Sequence, residues 1–264
     1  MTTQEPSPKD QYTLRQILGI WLAAGAPMWL LGWVIYPAMS ADLAPMDAGL
    51  LRMKLMAVGL IWQFVLAMII LHREEGNIRL YTISRRFWLN HPVSARSGET
   101  KKSLWWWIIP LILLVASMEM GLRTPLVNLW TSIFPFFAEP KGYDMSVMFT
   151  PELRTQWVGA WDLLGLFFVL AVFNTFLGEE FIFRGVLLPK MEGVFGKWDW
   201  VANGVLFSLY HLHQPWGILA TLPADLIFAY SGKRFRSNWF PIILHSGQIV
   251  LVLFLILGIV LGLG

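Results

Sequence analysis

Residues 157–185 read WVGAWDLLGLFFVLAVFNTFLGEEFIFRG. About twenty mostly apolar residues, from Trp157 to Leu177, are followed at once by Glu179, Glu180 and Arg184. Roughly twenty residues of helix are what a bilayer crossing requires. The charges at its end stand out, because an ionisable group at the centre of a membrane helix costs about 2.5–3.5 kcal/mol on insertion scales. Such groups persist where they are paired, lie near the interface, or do chemistry. Helical spacing sorts the three. Glu180 and Arg184 are i, i+4 and share a face, so they can pair. Glu179 points about 100° away from Glu180. One ion pair and one leftover carboxylate result. A carboxylate in a partly dry place can serve as a general base, and an interfacial charge cluster ending a helix has the same sequence.

Working outward, the composition is that of a membrane protein. Of 264 residues, 56% are hydrophobic and only 14% charged, too apolar for a soluble domain of this size. The apolar runs are continuous and do not alternate, which disfavours a β-barrel. The expected fold is therefore an all-α polytopic transmembrane bundle. There is no cysteine, which excludes disulfides, thiolate catalysis and Cys-ligated metals. The net charge of +3 needs no nucleic acid to account for it, since basic loops are expected on the cytoplasmic side of a membrane.

Residues 1–16 are expected to be a disordered cytoplasmic tail, polar and containing Pro6 and Pro8. The first span is expected from about Ile17 to Tyr36, with Pro27 placed to kink it, and the second from about Met53 to Leu71. The connection that follows carries Arg73, Arg79, Arg85, Arg86, Arg96, Lys101 and Lys102 against Glu74, Glu75 and Glu99. By the positive-inside rule it is cytoplasmic, and so is the amino terminus. Trp105, Trp106 and Trp107 resemble an interfacial aromatic belt ahead of a third span, about Leu104 to Met120. Residues 121–156 have balanced charge and fall on the outer side by count, with Ile133 to Phe137 along the interface. The fourth span, about Trp157 to Leu177, then delivers Glu179, Glu180 and Arg184 close to the cytoplasmic surface, and its helix is expected to continue, tilted, to about Leu188, where Pro189 ends it. Two short segments follow, about Trp200 to His213 and Trp216 to Tyr230. The last span runs from about Phe240 to Gly264. Six or more membrane segments are expected in all.

This topology brings polar residues together. His245 sits one turn into the last span from the cytoplasmic side, and His211 about three turns into the fifth segment. With Glu179 they place one carboxylate and two imidazoles in the cytoplasmic half of the bilayer. Phe207 and His211 are i, i+4 and share a face; His213, two residues on, faces away and reads as interfacial. There is no His-Glu-x-x-His pattern, which leaves Glu179, His211 and His245 as the one conceivable metal-ligand set. Ser208 and Ser246 adjoin histidines in sequence, but no Gly-x-Ser-x-Gly elbow is present. Buried carboxylates and histidines also suit a proton-coupled transporter, though no inverted repeat supports that.

Taken in order, Glu179-Glu180-x-x-x-Arg184, Phe207-x-x-x-His211 and His245 early in a last apolar helix resemble the motifs of the CPBP family. That family groups CAAX-type prenyl-protein endopeptidases, or intramembrane glutamate endopeptidases, with bacteriocin-processing and immunity (Abi) proteins. The resemblance covers about residues 158–260, including Ser237 to His245. It implies that Glu179 is the general base activating water, helped by His211, that Glu180 and Arg184 are a supporting ion pair, and that His245 stabilises the oxyanion. No metal and no cofactor are implied. One position departs from the family pattern: four residues after His245, where a polar residue is usual, stands Ile249. The adjacent Gln248 is the candidate amide donor. A missing oxyanion donor lowers activity about 10²–10³-fold.

The resulting expectation is a metal-independent intramembrane endopeptidase with a polar chamber in the cytoplasmic half, acting on a membrane-associated and possibly prenylated CAAX-type protein or peptide. Its partners are the lipid bilayer and that substrate. The expected location is a bacterial inner (cytoplasmic) membrane, amino terminus and active site toward the cytoplasm. Residues 17–157 form amino-terminal membrane helices and loops, and residues 158–264 the catalytic core. The alternative is a catalytically weak or inactive immunity or scaffolding protein of the same fold, which Ile249 favours.

Overall fold

A computed structural model describes residues 11–94 and 97–263, without the side chains of Glu152 and Gln248. Five helical stretches among the described residues are long and apolar enough to cross a membrane: α1 (Leu14–Ser40), α2 (Pro45–Glu75), α4 (Lys102–Ile133), α5 (Trp161–Lys190) and α8 (Trp239–Val260). Between them lie α3 (Leu80–Arg86), α6 (Asp199–Tyr210) and α7 (Ile218–Phe235). No β-strand occurs among the described residues, only an isolated bridge between Val93 and Thr100.

Local sequence sets the boundaries. Thr13 opens α1 in a reciprocal capping box with Gln16, which satisfies two otherwise orphaned donors. Pro45 stands at the first turn of α2 and Gly76, at φ 71°, ends it, as a proline free of a needed N–H and a left-handed glycine do. Pro27 lies inside α1 and cannot bond the carbonyl of Ala23. The Trp62 indole of α2 donates to that carbonyl at 2.9 Å, so the broken turn is repaired by the neighbouring helix.

Helix α2 runs through the middle of the bundle and packs on α1 and on α5. Its buried side includes Gly49, Ala57, Gly59 and Ala67; small residues let helix backbones approach closely where lipid offers no hydrophobic drive. Large apolar side chains instead project from the outer faces, among them Leu113 at 65% exposure, Phe168 at 60% and Phe254 at 67%. An outward apolar surface of that extent is the face of a protein in lipid. Helices α6 and α7 pack on each other, and α7 packs on α4 and α8. Three-residue 3-10 turns at His211–His213 and Pro215–Gly217 join α6 to α7.

Several expectations change here. Of the expected tail 1–16, residues 1–10 lie outside the described residues, whereas Tyr12 is buried and α1 begins at Leu14. The Tyr12 hydroxyl donates to Glu74, which also meets Arg86 at 2.9 Å and Lys190 at 3.0 Å. Burial pushes the Tyr12 phenol well above its usual value, so it remains a donor. The third span continues past Met120 to Ile133, because Arg123 pairs with Glu119 one turn back at 3.1 Å and needs no loop to carry its charge. Five candidate spans stand where six or more were expected, since α6 and α7 fall outside that group.

Candidate active site

The glutamate pair lies within a helix that runs on past it, as the sequence suggests. Helix α5 continues ten residues beyond Glu180, to Lys190, about 15 Å of further rise. Glu179 is 2% exposed, and Glu180 and Arg184 are fully buried.

The helix is not a regular α-helix here. Residues Phe173–Gly178 and Phe181–Leu187 are π-helical, one on each side of the pair. Widened i→i+5 turns are uncommon and recur at functional sites. Their carbonyls are held by side chains from elsewhere. Asn238 donates to Glu180 O at 3.2 Å, Asn203 of α6 to Phe183 O at 2.7 Å, and Arg86 of α3 to Gly185 O at 2.9 Å and Val186 O at 3.3 Å. Phe183 O also accepts the i+5 N–H of Leu188, so these side chains from three other parts of the chain add to the bonding of the widened backbone.

The consequence is a different set of neighbours for Glu179. In the i→i+5 frame Asn174 comes onto its face. With its amide nitrogen turned inward, Asn174 donates to both Glu179 oxygens at 3.1 Å. The Tyr210 hydroxyl lies beside the Glu179 carboxylate and interacts with it. Gln63 of α2 donates to that hydroxyl at 2.6 Å, which leaves the phenol proton for Glu179.

Glu180 has other partners. Arg184 Nη1 reaches its Oε1 at 3.1 Å, as the i, i+4 spacing suggests. His245 Nδ1 lies 3.0 Å from the same oxygen. The second Arg184 amino group donates to Asp225 O at 3.3 Å, and its guanidinium stands 4.0 Å over the Phe207 ring. These contacts offset part of the cost of burying the pair, while Glu180 Oε2 and Arg184 Nε stay buried without a hydrogen-bond partner. Asp225 is itself buried and accepts from Ser208 at 2.7 Å.

His245 links the two carboxylates. Its Nε2 lies 3.8 Å from Glu179 Oε2, too far for a direct hydrogen bond and close enough for both atoms to contact one oxygen of a water or substrate. Phe228 stacks on the ring at 5.2 Å and Phe207 meets it edge-on at 6.0 Å. His211 sits on the other side of Phe207, ring centres 5.1 Å apart. Its Nδ1 lies 3.0 Å from Phe207 O, so Nδ1 carries the proton and the Nε2 lone pair is left over. No hydrogen bond joins His211 to Glu179 among the described residues; Tyr210 stands between, its ring 4.9 Å from that of His211.

His213 differs from expectation. It is buried, and its ring is 5.6 Å from that of His211. The helix has tightened into a 3-10 turn at His211–His213, so α-helical directions no longer apply. Among the described residues no group of three His, Asp or Glu side chains is arranged to hold a metal ion. Gln248's side chain lies outside the description, and Ile249 continues α8. Tyr210, Gln63, Asn174 and Asp225 had no signal in helical spacing. Asn174 was legible only as a lone polar residue in an apolar run.

Residues 160–251 match the family described as Rce1-like, type II CAAX prenyl endopeptidase Rce1-like. That segment contains Glu179, Glu180, Arg184, Phe207, His211 and His245. No curated protein and no solved structure matches the chain. The chain thus carries the CAAX-protease-like region that its motifs resemble, in an integral membrane protein whose helices are long and apolar enough to span a bilayer.

Proposed function

We propose that this chain is a metal-independent intramembrane endopeptidase in which Glu179 activates the attacking water. The observation that carries the reading is the arrangement around Glu179: a buried carboxylate, fixed by Asn174 and Tyr210, with His245 Nε2 3.8 Å away. A water bonded to Glu179 gives up a proton to the carboxylate as its oxygen attacks the substrate carbonyl. His245, its Nδ1–H given to Glu180, donates from Nε2 as an imidazolium to the developing oxyanion. The C–N bond then breaks, and Glu179 returns the proton to the leaving amine. His211 keeps an Nε2 lone pair toward the same region and helps orient the water. Where the family pattern has a polar residue and this chain has Ile249, the adjacent Gln248 is the candidate amide donor, since the Asn174 amide is taken by the two Glu179 oxygens.

In the same reading the catalytic core is residues 158–264 and residues 17–157 are its amino-terminal helices. Helices α6 and α7 count as further membrane segments, making six or more. A polar chamber opens to the cytoplasm of a bacterial inner membrane, the side on which the basic connection after α2 lies. The substrate is a membrane-associated protein or peptide of CAAX type.

Purified protein incubated with prenylated and unprenylated carboxyl-terminal peptides, in the presence of a chelator, tests this by mass spectrometry. Cleavage is expected to persist with chelator and to fall about 10²–10⁴-fold in Glu179→Gln, the range for loss of a general base. Cleavage that stops with chelator, or a Glu179→Gln protein as active as wild type, would overturn it.

A further inference from the structure

Arg52 lies near the start of α2, eleven residues from Gln63 and so about 16 Å along the helix from the glutamate site. It is only 3% exposed. Among the described residues no carboxylate lies within ion-pairing distance of it; Glu139 acts on it only from farther off. Its guanidinium donates through Nη1 to Tyr143 O and sits 4.6 Å from the Tyr143 ring, 5.5 Å from Trp216 and 5.9 Å from Tyr36. Aromatic faces and one carbonyl offset part of the cost of a buried cation, but they supply no negative charge, and most of the five guanidinium donors remain.

Beside Arg52 is a cavity of about 10 Å³, lined also by His213, Tyr36, Gly32 and Met56. Its size admits one small species. His213 is 4% exposed, borders this cavity, and its Nδ1 has no hydrogen-bond partner. Trp33 donates to Leu212 O at 2.8 Å and Tyr143 to Gly32 O at 2.9 Å, so the walls are fastened to α1 on one side and to the turn after α6 on the other. A buried cation and a histidine with an unpartnered ring nitrogen thus border one small cavity.

We propose that Arg52 and His213 form a binding site for a single monovalent anion of halide size, separate from the glutamate site and independent of the hydrolase reading. The guanidinium supplies the charge and the His213 Nδ1–H a second donor. The aromatic box leaves room for one small ion and excludes larger groups, a lipid phosphate included. The anion would fasten α1 and α2 to the α6–α7 connection.

The test is thermal unfolding of the purified full chain at constant sodium, with chloride replacing gluconate. Wild type is expected to gain roughly 3–6 °C at ten times the dissociation constant. Arg52→Met, which keeps length and removes charge, should lose that gain. His213→Phe should weaken it, and decides the matter if Arg52→Met does not accumulate. Crystals soaked in bromide should show an anomalous peak beside Arg52. No difference between chloride and gluconate, an equal gain in wild type and variants, or ordered water alone beside Arg52 would overturn the proposal.

Discussion

Replacing Gly178 by alanine tests the geometry next to the proposed base. A Cβ built on Gly178 would lie 2.3 Å from Phe173 O and 2.8 Å from Leu60 O. Both obstacles are backbone, so no side chain can swing aside. Restoring ordinary contact requires a displacement of about 1 Å in the π turn or in α2. Overpacking of this kind costs about 1–3 kcal/mol, which for a chain of this length lowers the melting temperature by roughly 2–12 °C. The displaced backbone carries Glu179, and a misplacement near 1 Å costs on the order of 10²-fold in rate. Gly165, in the same helix, is the control. Nothing lies within 4 Å of its Cβ position, and alanine for glycine inside a helix gains about 0.5–1 kcal/mol. The two substitutions should therefore move the melting temperature in opposite directions, and only Gly178→Ala should lose cleavage. Unfolding followed by tryptophan fluorescence, with peptide cleavage on the same samples, reads both. If Gly178→Ala melts as high as Gly165→Ala and cleaves at the wild-type rate, the close crossing at Glu179 is wrong.

Trp62→Phe should cost about 0.5–1.5 kcal/mol by stranding the Ala23 carbonyl, and the cost should vanish in a Pro27→Ala background, where the helix bonds that carbonyl itself; chemical unfolding of the four proteins checks this. Asn203→Leu keeps the side-chain shape and removes one of two donors on Phe183 O, which retains Leu188 N–H, an expected loss of about 0.5–1.5 kcal/mol with hydrogen exchange rising along residues 181–187. Tyr210→Phe should cost about 1–3 kcal/mol by stranding the buried Gln63 amide and, on the proposed reading in which the hydroxyl orients Glu179, should lower kcat with KM unchanged; chemical unfolding and steady-state kinetics separate the two effects.

Composition and run length alone settled that this is a helical membrane protein. Neither depends on who packs against whom: a bilayer requires about twenty apolar residues per crossing, and that demand is written directly in the chain. The Glu180–Arg184 pair and the Phe207–His211 face were legible for a similar reason, since i, i+4 neighbours meet wherever a turn stays helical. The approach of Glu179 and His245 was legible from loop charge and span order, and the helix end was legible too, about Leu188 before Pro189 against Lys190 in the structure. Fine geometry was decided elsewhere. Asn174 reaches Glu179 because the helix is widened over Phe173–Gly178; in the second widened stretch and at Glu180, Asn203, Asn238 and Arg86 bring long-range donors to the carbonyls. Those three lie 20 residues after Phe183, 58 after Glu180 and 99 before Gly185. His213 was misread because its turn tightens where α6 ends. Periodicity assumes a constant angle per residue; at this site widened and tightened turns change that angle, so only the folded chain determines which side chains face Glu179.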